Sequence, residues 1–288
     1  MKKSLPHRMR CRFGVLFPRT ALVLNYVRKI HRLPRLRNPR TLNEKIQWLK
    51  IHGDNRAIAL LADKYAVRSY VEEKGLADML VPLLGKWDSV GEFRSEWASL
   101  EAPFVLKANN SCRTVLAVTD KSSADLDEIC RTLEGWLSDR SFWGLFVEPH
   151  YKYITPCIIA ESYLGPSLTD YKIWCFGGVP HCIFTCSART GDSVEIDCFD
   201  PDWNEHPERL VFSEHYRRPQ VPPARPEGLE QMLEAAARLS KGFPQVRVDL
   251  YWVDGKVRFG EMTFTSNGGC MPYFTEEYQL ELGSKCAL

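Results

Sequence analysis

The sequence predicts an α+β fold in which a mainly helical region precedes a region of short strands. Two observations carry this prediction. Apolar residues recur at helical spacing through much of the first ninety positions, whereas short β-type runs alternate with polar turns after Pro103. At 288 residues the chain is long enough for two compact lobes. We divide it into a basic arm with a helical lobe (residues 1–100), a central subdomain (101–165) and a C-terminal subdomain (166–288).

Two helices are predicted in the first region. Apolar residues recur at helical spacing over 41–51, where Asn43 and Glu44 suit an N-terminal turn. Residues 56–73 predict a second helix that ends before Gly75. The later helices are expected at 126–137 and 227–240, where apolar residues follow the same rhythm.

Strands and turns account for most of the remaining chain. The predicted strands are 104–107, 115–118, 171–176, 180–187, 193–199, 246–253 and 256–262. Asp254 and Gly255 predict a tight turn between the last two. The proline-rich segment 201–226 is expected to be a surface loop that contacts an acceptor, with Arg189, Arg217 and Arg218 as candidate contacts to an anionic one.

The charge of the chain is divided unevenly. Residues 1–45 contain thirteen Lys and Arg and one acid, so this segment is +12 and, because the whole chain is +2, the remainder is −10. Such a basic arm can attract polyanions or an anionic membrane surface. The alternative is an ordinary solvated helical face. No nucleic-acid sequence is expected to be recognised.

The chain shows no segment expected to span a membrane or to act as a signal peptide. The apolar run before Pro18 is interrupted, and a bilayer needs roughly 20 apolar residues. Ten scattered cysteines without a CxxC pair favour reduced, buried thiols over a zinc site. We therefore expect a cytoplasmic protein, with the inner face of the membrane as the place where the basic arm would act.

Two neighbouring strands carry acids close to an arginine. Arg247 and Asp249 share a strand face because side chains repeat every two residues, and the hairpin can bring Glu261 beside Asp249. Adjacent carboxylates repel, so a cation is expected between them, and Mg²⁺ combines carboxylate oxygens with phosphate and water. The alternative is that Arg247, or another cation, pairs with one acid.

Two lysines are candidates for phosphate contacts. Lys107 ends a predicted strand just before a polar loop, where an ammonium and backbone amides can converge on phosphate. Taken alone, Lys107 is better explained as a solvated strand end, and Lys172 is ambiguous in the same way.

Six short segments and the acidic hairpin become informative when taken in chain order. The segments are 38–50 (NPRTLNEKIQWLK), 63–68 (DKYAVR), 81–85 (VPLLG), 104–109 (FVLKAN), 161–164 (ESYL) and 170–172 (DYK). Together they resemble the TupA-like ATP-grasp family from about residue 38 to residue 269. The resemblance implies an ATP-grasp fold, in which two α+β lobes clasp ATP, and an enzyme that activates a carboxylate as an acyl phosphate for attack by an amine.

The resemblance also implies a role for each site residue. Arg247 and Lys172 are the implied catalytic residues, and Mg²⁺ would be held by Asp249, Glu261 and Thr263. The segment 109–114 would close over the ATP phosphates, and 161–164 would receive adenine through backbone groups. The implied ATP contacts are Lys107, Asn109, Ser111, Arg113, Glu161, Ser162, Tyr163, Leu164 and Lys172.

The chain departs from the family pattern in two places, a three-residue segment and a single position. Ser111, Cys112 and Arg113 stand where related sequences usually have glycine, and Thr263 stands where many have an asparagine ligand. The expected function is a ligase that joins an amine or amino acid to a carboxylate on a cell-surface polysaccharide or peptide precursor. The alternatives are an ATP-dependent phosphotransferase, a nucleotide-sugar glycosyltransferase, and a non-catalytic scaffold that binds polyanions or membranes.

Overall fold

A computed structural model describes residues 5–112, 114–139 and 141–288. The chain divides into two compact units. The first unit contains the residues up to 21, together with 54–70 and 81–164, and the second contains 22–53, 71–80 and 165–288. Residues 1–100 therefore contribute to both units.

The secondary structure alternates between helices and strands along the chain. The α-helices are α1 (Leu5–Leu16), α2 (Pro18–Ile30), α3 (Leu42–His52), α4 (Asn55–Ala62), α5 (Val67–Glu73), α6 (Val90–Glu96), α7 (Leu126–Ser138), α8 (Leu229–Ser240) and α9 (Glu276–Lys285). The strands are β1 (Leu83–Trp87), β2 (Phe104–Ala108), β3 (Val115–Val118), β4 (Ile158–Ser162), β5 (Asp170–Phe176), β6 (Val179–Thr190), β7 (Ser193–Phe199), β8 (Tyr216–Arg217), β9 (Val246–Val253) and β10 (Lys256–Thr263). Within the described ranges, no helix is both long enough and apolar enough to cross a lipid bilayer.

The first unit is built on an antiparallel sheet with the strand order β1-β4-β2-β3. Residues of β2 alternate between two faces, so Phe104 and Leu106 join the core against α6 and α7. Lys107 lies on the opposite face. Glu161 of β4 pairs with Val105, the neighbour of Lys107 on that face, so alternation places Lys107 and Glu161 together.

The second unit is built on a six-stranded sheet with the order β10-β9-β5-β6-β7-β8. All neighbouring strands are antiparallel except β7 and β8, which are parallel. Helix α8 packs against β5, β6 and β9, whereas apolar residues of α3 and α9 join a core that includes Trp174 and Phe184 of the sheet. Helices therefore bury both faces of this sheet over much of its length.

A β-bulge at Gly260 brings Glu261 to Asp249. Phe259 lies opposite Leu250, but the register then shifts by one residue, so Glu261 lies opposite Asp249. Without this shift Glu261 would lie opposite Val248 and its side chain would leave the face that carries Asp249. A Cβ atom at residue 260 would lie 2.9 Å from the carbonyl oxygen of Asp249, so the close approach of the strands at the bulge favours glycine.

Most predicted elements are confirmed within a few residues. The helix predicted over 41–51 is α3, and Thr41 and Glu44 form a reciprocal capping box at its start. The turn between β9 and β10 has the positive φ angles expected there, 51° at Asp254 and 70° at Gly255. The segment 201–226 is mostly irregular, and β8 is its only strand among the described residues.

The helix predicted over 56–73 is wrong as a single helix. The segment forms two helices, because α4 ends at Ala62 and α5 begins at Val67. The Asp63 carboxylate accepts hydrogen bonds from the backbone N–H groups of Tyr65 and Ala66, which starts a new turn, and its second oxygen accepts from Asn109. The expectation of a largely helical first region also missed β1, because β1 is defined by its pairing with β4. Helix α9 was not predicted either.

Candidate functional site

Charged side chains form a ladder across three strands of the second unit. Lys172 lies opposite Asp249, which lies opposite Glu261, and in the next row Trp174 lies opposite Arg247, which lies opposite Thr263. Partners in an antiparallel register share a face, so these side chains converge on one surface. We call this set the charged ladder; its members are Asp170, Lys172, Arg247, Asp249, Glu261 and Thr263.

Arg247 occupies the centre of the charged ladder. Its Nε and Nη2 atoms donate to the two oxygens of Asp249, each at 2.6 Å. The same Nη2 donates to Glu261 at 3.3 Å and to Thr263 at 3.1 Å, and Nη1 donates to the Ser266 hydroxyl at 3.1 Å. Arg247 therefore contacts both acids of the predicted metal site. The paired arrangement is bidentate, which fixes the guanidinium in direction as well as position.

Lys172 is the second cation that pairs with Asp249. Its ammonium lies 2.5 Å from an Asp249 oxygen and 2.7 Å from an Asp170 oxygen. Arg189 also reaches Asp170, at 3.0 Å. Arg218, by contrast, pairs with Glu205 at 2.7 Å. Among the three candidate arginines of the loop region, Arg189 is thus the one in contact with the charged ladder within the described part of the chain.

Burial and ion pairing shift the proton affinities in the charged ladder. Burial alone would lower the pKa of Lys172, but the adjacent Asp170 and Asp249 reverse this and raise it. The pKa of Arg247 is raised in the same way, against burial, by Asp249 and Glu261. Burial raises the pKa of Asp249, and the two cations beside it oppose that shift. Both cations therefore stay protonated over any working pH.

The predicted metal ligands supply a donor set that suits Mg²⁺. Oxygens of Asp249, Glu261 and Thr263 all lie within 3.3 Å of one cationic atom, Nη2 of Arg247. Two carboxylates and a hydroxyl match the few protein oxygens that Mg²⁺ takes alongside phosphate and water. The Glu261 side chain is 40% exposed, so this side is open to solvent. No cluster of three or more His, Cys, Asp or Glu suited to a metal occurs in the described ranges. Asp249, Glu261 and Thr263 are the candidates that the family resemblance implied.

The first unit holds its candidate lysine beside an acid. Lys107 donates to Glu161 at 2.6 Å, and Arg68 donates to the other carboxylate oxygen at 3.2 Å. The three side chains form a Lys–Glu–Arg triad in which two cations share one carboxylate. Arg68 lies within the 63–68 segment that contributed to the family resemblance, but sequence reasoning gave it no role.

The loop that follows Lys107 is held by Asn109. Its carboxamide donates to Asp63 at 2.9 Å and to the Thr155 carbonyl at 3.0 Å, and accepts from the Cys157 N–H at 2.8 Å. Lys64 donates to the Ser111 carbonyl at 2.6 Å. These bonds give Asn109 a positioning role in the loop, and the Asp63–Lys64 pair, whose function the sequence did not reveal, is part of the same support. Arg113 lies outside the described residues.

The segment predicted to receive adenine leaves β4 at its carboxyl end. The Ser162 N–H donates to the Pro82 carbonyl at 3.0 Å, so it is already used. Tyr163 and Leu164 make no backbone hydrogen bond to any other described residue. The Glu161 side chain belongs to the triad.

A sequence profile of the TupA-like ATP-grasp family matches residues 44–287 of this chain. The chain belongs to the TupA-like ATP-grasp family. This confirms the resemblance inferred from the short segments, and the α+β architecture with two sheets agrees with it. A search of curated protein sequences found no significant match.

Solved structures of ligases match this TupA-like chain at low identity. The D-alanine–D-alanine ligase from Bacillus anthracis is 14% identical with a TM-score of 0.47, and the match covers 83% of this chain and 73% of that one. The D-alanine–D-alanine ligase from Helicobacter pylori is 15% identical with a TM-score of 0.45, over 80% and 62% of the two chains. The L-amino acid ligase from Bacillus licheniformis is 14% identical with a TM-score of 0.45, over 91% and 55%. The TupA-like chain thus spans about half to three quarters of the length of these structures.

Proposed function

We propose that this TupA-like ATP-grasp chain is an ATP- and Mg²⁺-dependent ligase that joins an amine to a carboxylate through an acyl phosphate. The observation that supports this most directly is the convergence of Arg247, Asp249, Glu261 and Thr263 around one point of the charged ladder. The acceptor we propose is a carboxylate on a cell-surface polysaccharide or its precursor, and this part rests on the family alone.

Asp249, Glu261 and Thr263 are the residues that would hold Mg²⁺. When bound, the ion would neutralise phosphate oxygens and orient the terminal phosphoryl group. Arg247 now donates to Glu261 and Thr263 through a single nitrogen, whereas it holds Asp249 through two. Because Nη2 contacts the same three oxygens that would hold the metal, binding Mg²⁺ would require Arg247 to give up at least its contacts to Glu261 and Thr263.

The reaction requires fixed charge more than a side-chain nucleophile. A carboxylate oxygen of the acceptor attacks the terminal phosphorus of ATP, the bond from that phosphorus to the bridging oxygen breaks, and ADP leaves. The amine nitrogen then attacks the acyl carbon, phosphate leaves, and the amine loses a proton. Lys172 and Arg247 supply positive charge where negative charge develops on phosphate and on the acyl oxygen.

The triad of the first unit supplies further phosphate contacts in this proposal. The Lys107 side chain is 25% exposed, and Glu161 keeps Arg68 as a partner when Lys107 turns to phosphate. The peptide groups of Tyr163 and Leu164, which make no backbone hydrogen bond to another described residue, would receive adenine. These assignments keep the roles that the family resemblance implied.

A coupled assay tests the proposal. ADP release is measured with ATP, Mg²⁺ and pairs of a uronic acid and an amino acid, for the natural chain, Glu261→Gln and Glu277→Gln. Glu261 is chosen because its side chain is partly exposed, so its replacement should leave the fold intact. Glu277, an exposed acid on α9, is the matched control. We expect pair-dependent ADP release that falls about 100-fold or more in Glu261→Gln and is unchanged in Glu277→Gln.

The mass of the product separates the alternatives. A ligase yields the two substrates joined with loss of one water, whereas a phosphotransferase yields an acceptor that retains the phosphoryl group. Stabilisation by UDP-sugars but not by ATP would instead favour a glycosyltransferase. ADP release that persists in Glu261→Gln would refute the proposed site.

A further inference from the structure

Helix α1 packs against the first unit through one narrow face. Cys11 is 1% exposed and Gly14 is buried, and this face meets the short turn Phe142–Gly144. A Cβ atom at Gly14 would overlap the backbone oxygen of Gly144, so the two backbones are in direct contact. These contacts fix the orientation of α1 in the first unit, so they determine which side of the helix faces away from the turn.

That opposite side is apolar and faces solvent. Met9, Leu16 and Phe17 are 62%, 70% and 56% exposed, and Phe13 is 39% exposed. The Phe17 N–H donates to the Phe13 carbonyl, so the helical turn continues to Phe17, and the two rings lie 5.4 Å apart. At about 100° per residue these four side chains cover about one third of the helix circumference. We call them the exposed apolar face of α1.

Arginines border the exposed apolar face. Arg8, Arg10 and Arg12 are exposed on α1, and Arg19 is exposed just after it. The first 43 residues contain neither Asp nor Glu. An apolar stripe with arginines on both sides, in a stretch of sequence without acids, has the composition of a helix that lies in a membrane interface.

We infer that the exposed apolar face of α1 docks on an anionic phospholipid bilayer. The apolar side chains enter the boundary between headgroups and acyl chains, and the arginines contact lipid phosphates. A second copy of the same face would bring its arginines against these, which charge repulsion opposes. The helix has 12 residues, too few to span a bilayer, so the contact is peripheral. This inference does not depend on the proposed ligase activity.

Flotation with lipid vesicles tests the inference on the full chain. Vesicles of phosphatidylcholine with about 30% phosphatidylglycerol are compared with pure phosphatidylcholine, at low and high salt. The apolar variant is Phe13→Ser with Leu16→Ser, and its control is Val179→Ser with Val221→Ser, two exposed valines elsewhere. The charge variant is Arg8→Gln with Arg12→Gln, and its control is Lys241→Gln with Lys256→Gln, which removes the same charge from other exposed positions.

The natural chain and both controls are expected to float with the anionic vesicles only. The apolar variant should lose about tenfold or more in partition coefficient at low salt, because it removes two side chains that would enter the bilayer. The charge variant should bind less tightly and show a weaker dependence on salt. Circular dichroism checks that each variant is folded.

Three outcomes would overturn the inference. The natural chain could fail to float with anionic vesicles, or the folded apolar variant could bind as tightly as the natural chain. The third is a dimer in light scattering that the apolar variant converts to a monomer without any vesicle binding, which would assign the face to self-association.

Discussion

The two units each place one carboxylate between a lysine and an arginine, but they bury this arrangement to different extents. In the first unit the side chains of Lys107, Glu161 and Arg68 are 25%, 10% and 15% exposed. In the second unit those of Lys172, Asp249 and Arg247 are 11%, 2% and 10% exposed. The same charge pattern therefore occurs in a partly hydrated and in a largely dehydrated environment.

This difference in burial assigns different tasks to the two lysines. Breaking a dehydrated ion pair leaves a charge that water cannot reach, whereas water can replace a partner near the surface. Lys172 is consequently part of a fixed platform with Asp249 and Arg247. Lys107 would leave Glu161 for another anion at lower cost, which fits the phosphate contact that we propose for it.

Neutralising the carboxylate that lies between the two cations should give the largest difference in stability loss between the two units. Asp249→Asn leaves Arg247 and Lys172 without their shared partner, and we expect it to lower the free energy of unfolding by about 3–5 kcal/mol. Glu161→Gln should cost about 1–2 kcal/mol, because its cations are better hydrated. Urea denaturation followed by circular dichroism measures both. Equal losses would contradict the assignment of the second unit as the dehydrated one.

Removal of the lysines sharpens the comparison. Lys172→Met leaves both Asp170 and Asp249 with one cation fewer, and should cost about 2–3 kcal/mol. Lys107→Met should cost less than about 1 kcal/mol, because Arg68 still contacts Glu161. Thermal melts with and without Mg-ATP should show that both variants lose stabilisation by the nucleotide. A Lys107→Met variant that keeps this stabilisation would remove Lys107 from the nucleotide site.

Asp197 lies on the other face of the second unit's sheet. It extends the comparison to a carboxylate that forms no ion pair with another described residue. Asp197 is fully buried, and no other described residue forms a salt bridge with it. Burial, with the charge of Glu205, raises the pKa of Asp197 to about 6, although Arg218 acts in the opposite direction. The folded protein thus holds this proton more tightly than the unfolded chain, and loses stability as pH rises from about 4 to about 6.

Asp197→Asn should remove this loss. Above pH 6.5 the free energy of unfolding of the variant should be about 2 kcal/mol higher than that of the natural chain. This difference should shrink below pH 5. Urea denaturation at pH 5.0 and pH 7.5 measures it. A difference that does not change between these pH values would show that Asp197 is ionised in the fold throughout this range.

The sequence by itself determined much of the local structure and the family to which the chain belongs. Helical spacing located α3, α7 and α8, alternation and turn residues located the β9–β10 hairpin, and the ordered short segments identified the family. These sequence patterns can be recognised because each involves residues within about one helical turn or one hairpin.

Tertiary structure decided which of those groups meet. The bulge at Gly260 selects the face on which Glu261 lies, and Asn109 helps to fix Asp63 at the break between α4 and α5. Arg247 contacts both Asp249 and Glu261. Strand register and ion pairing depend on residues far apart in the chain, brought together when the core packs. Burial and the need to compensate each buried charge determine which register and which ion pairs form. A local sequence pattern encodes neither of these.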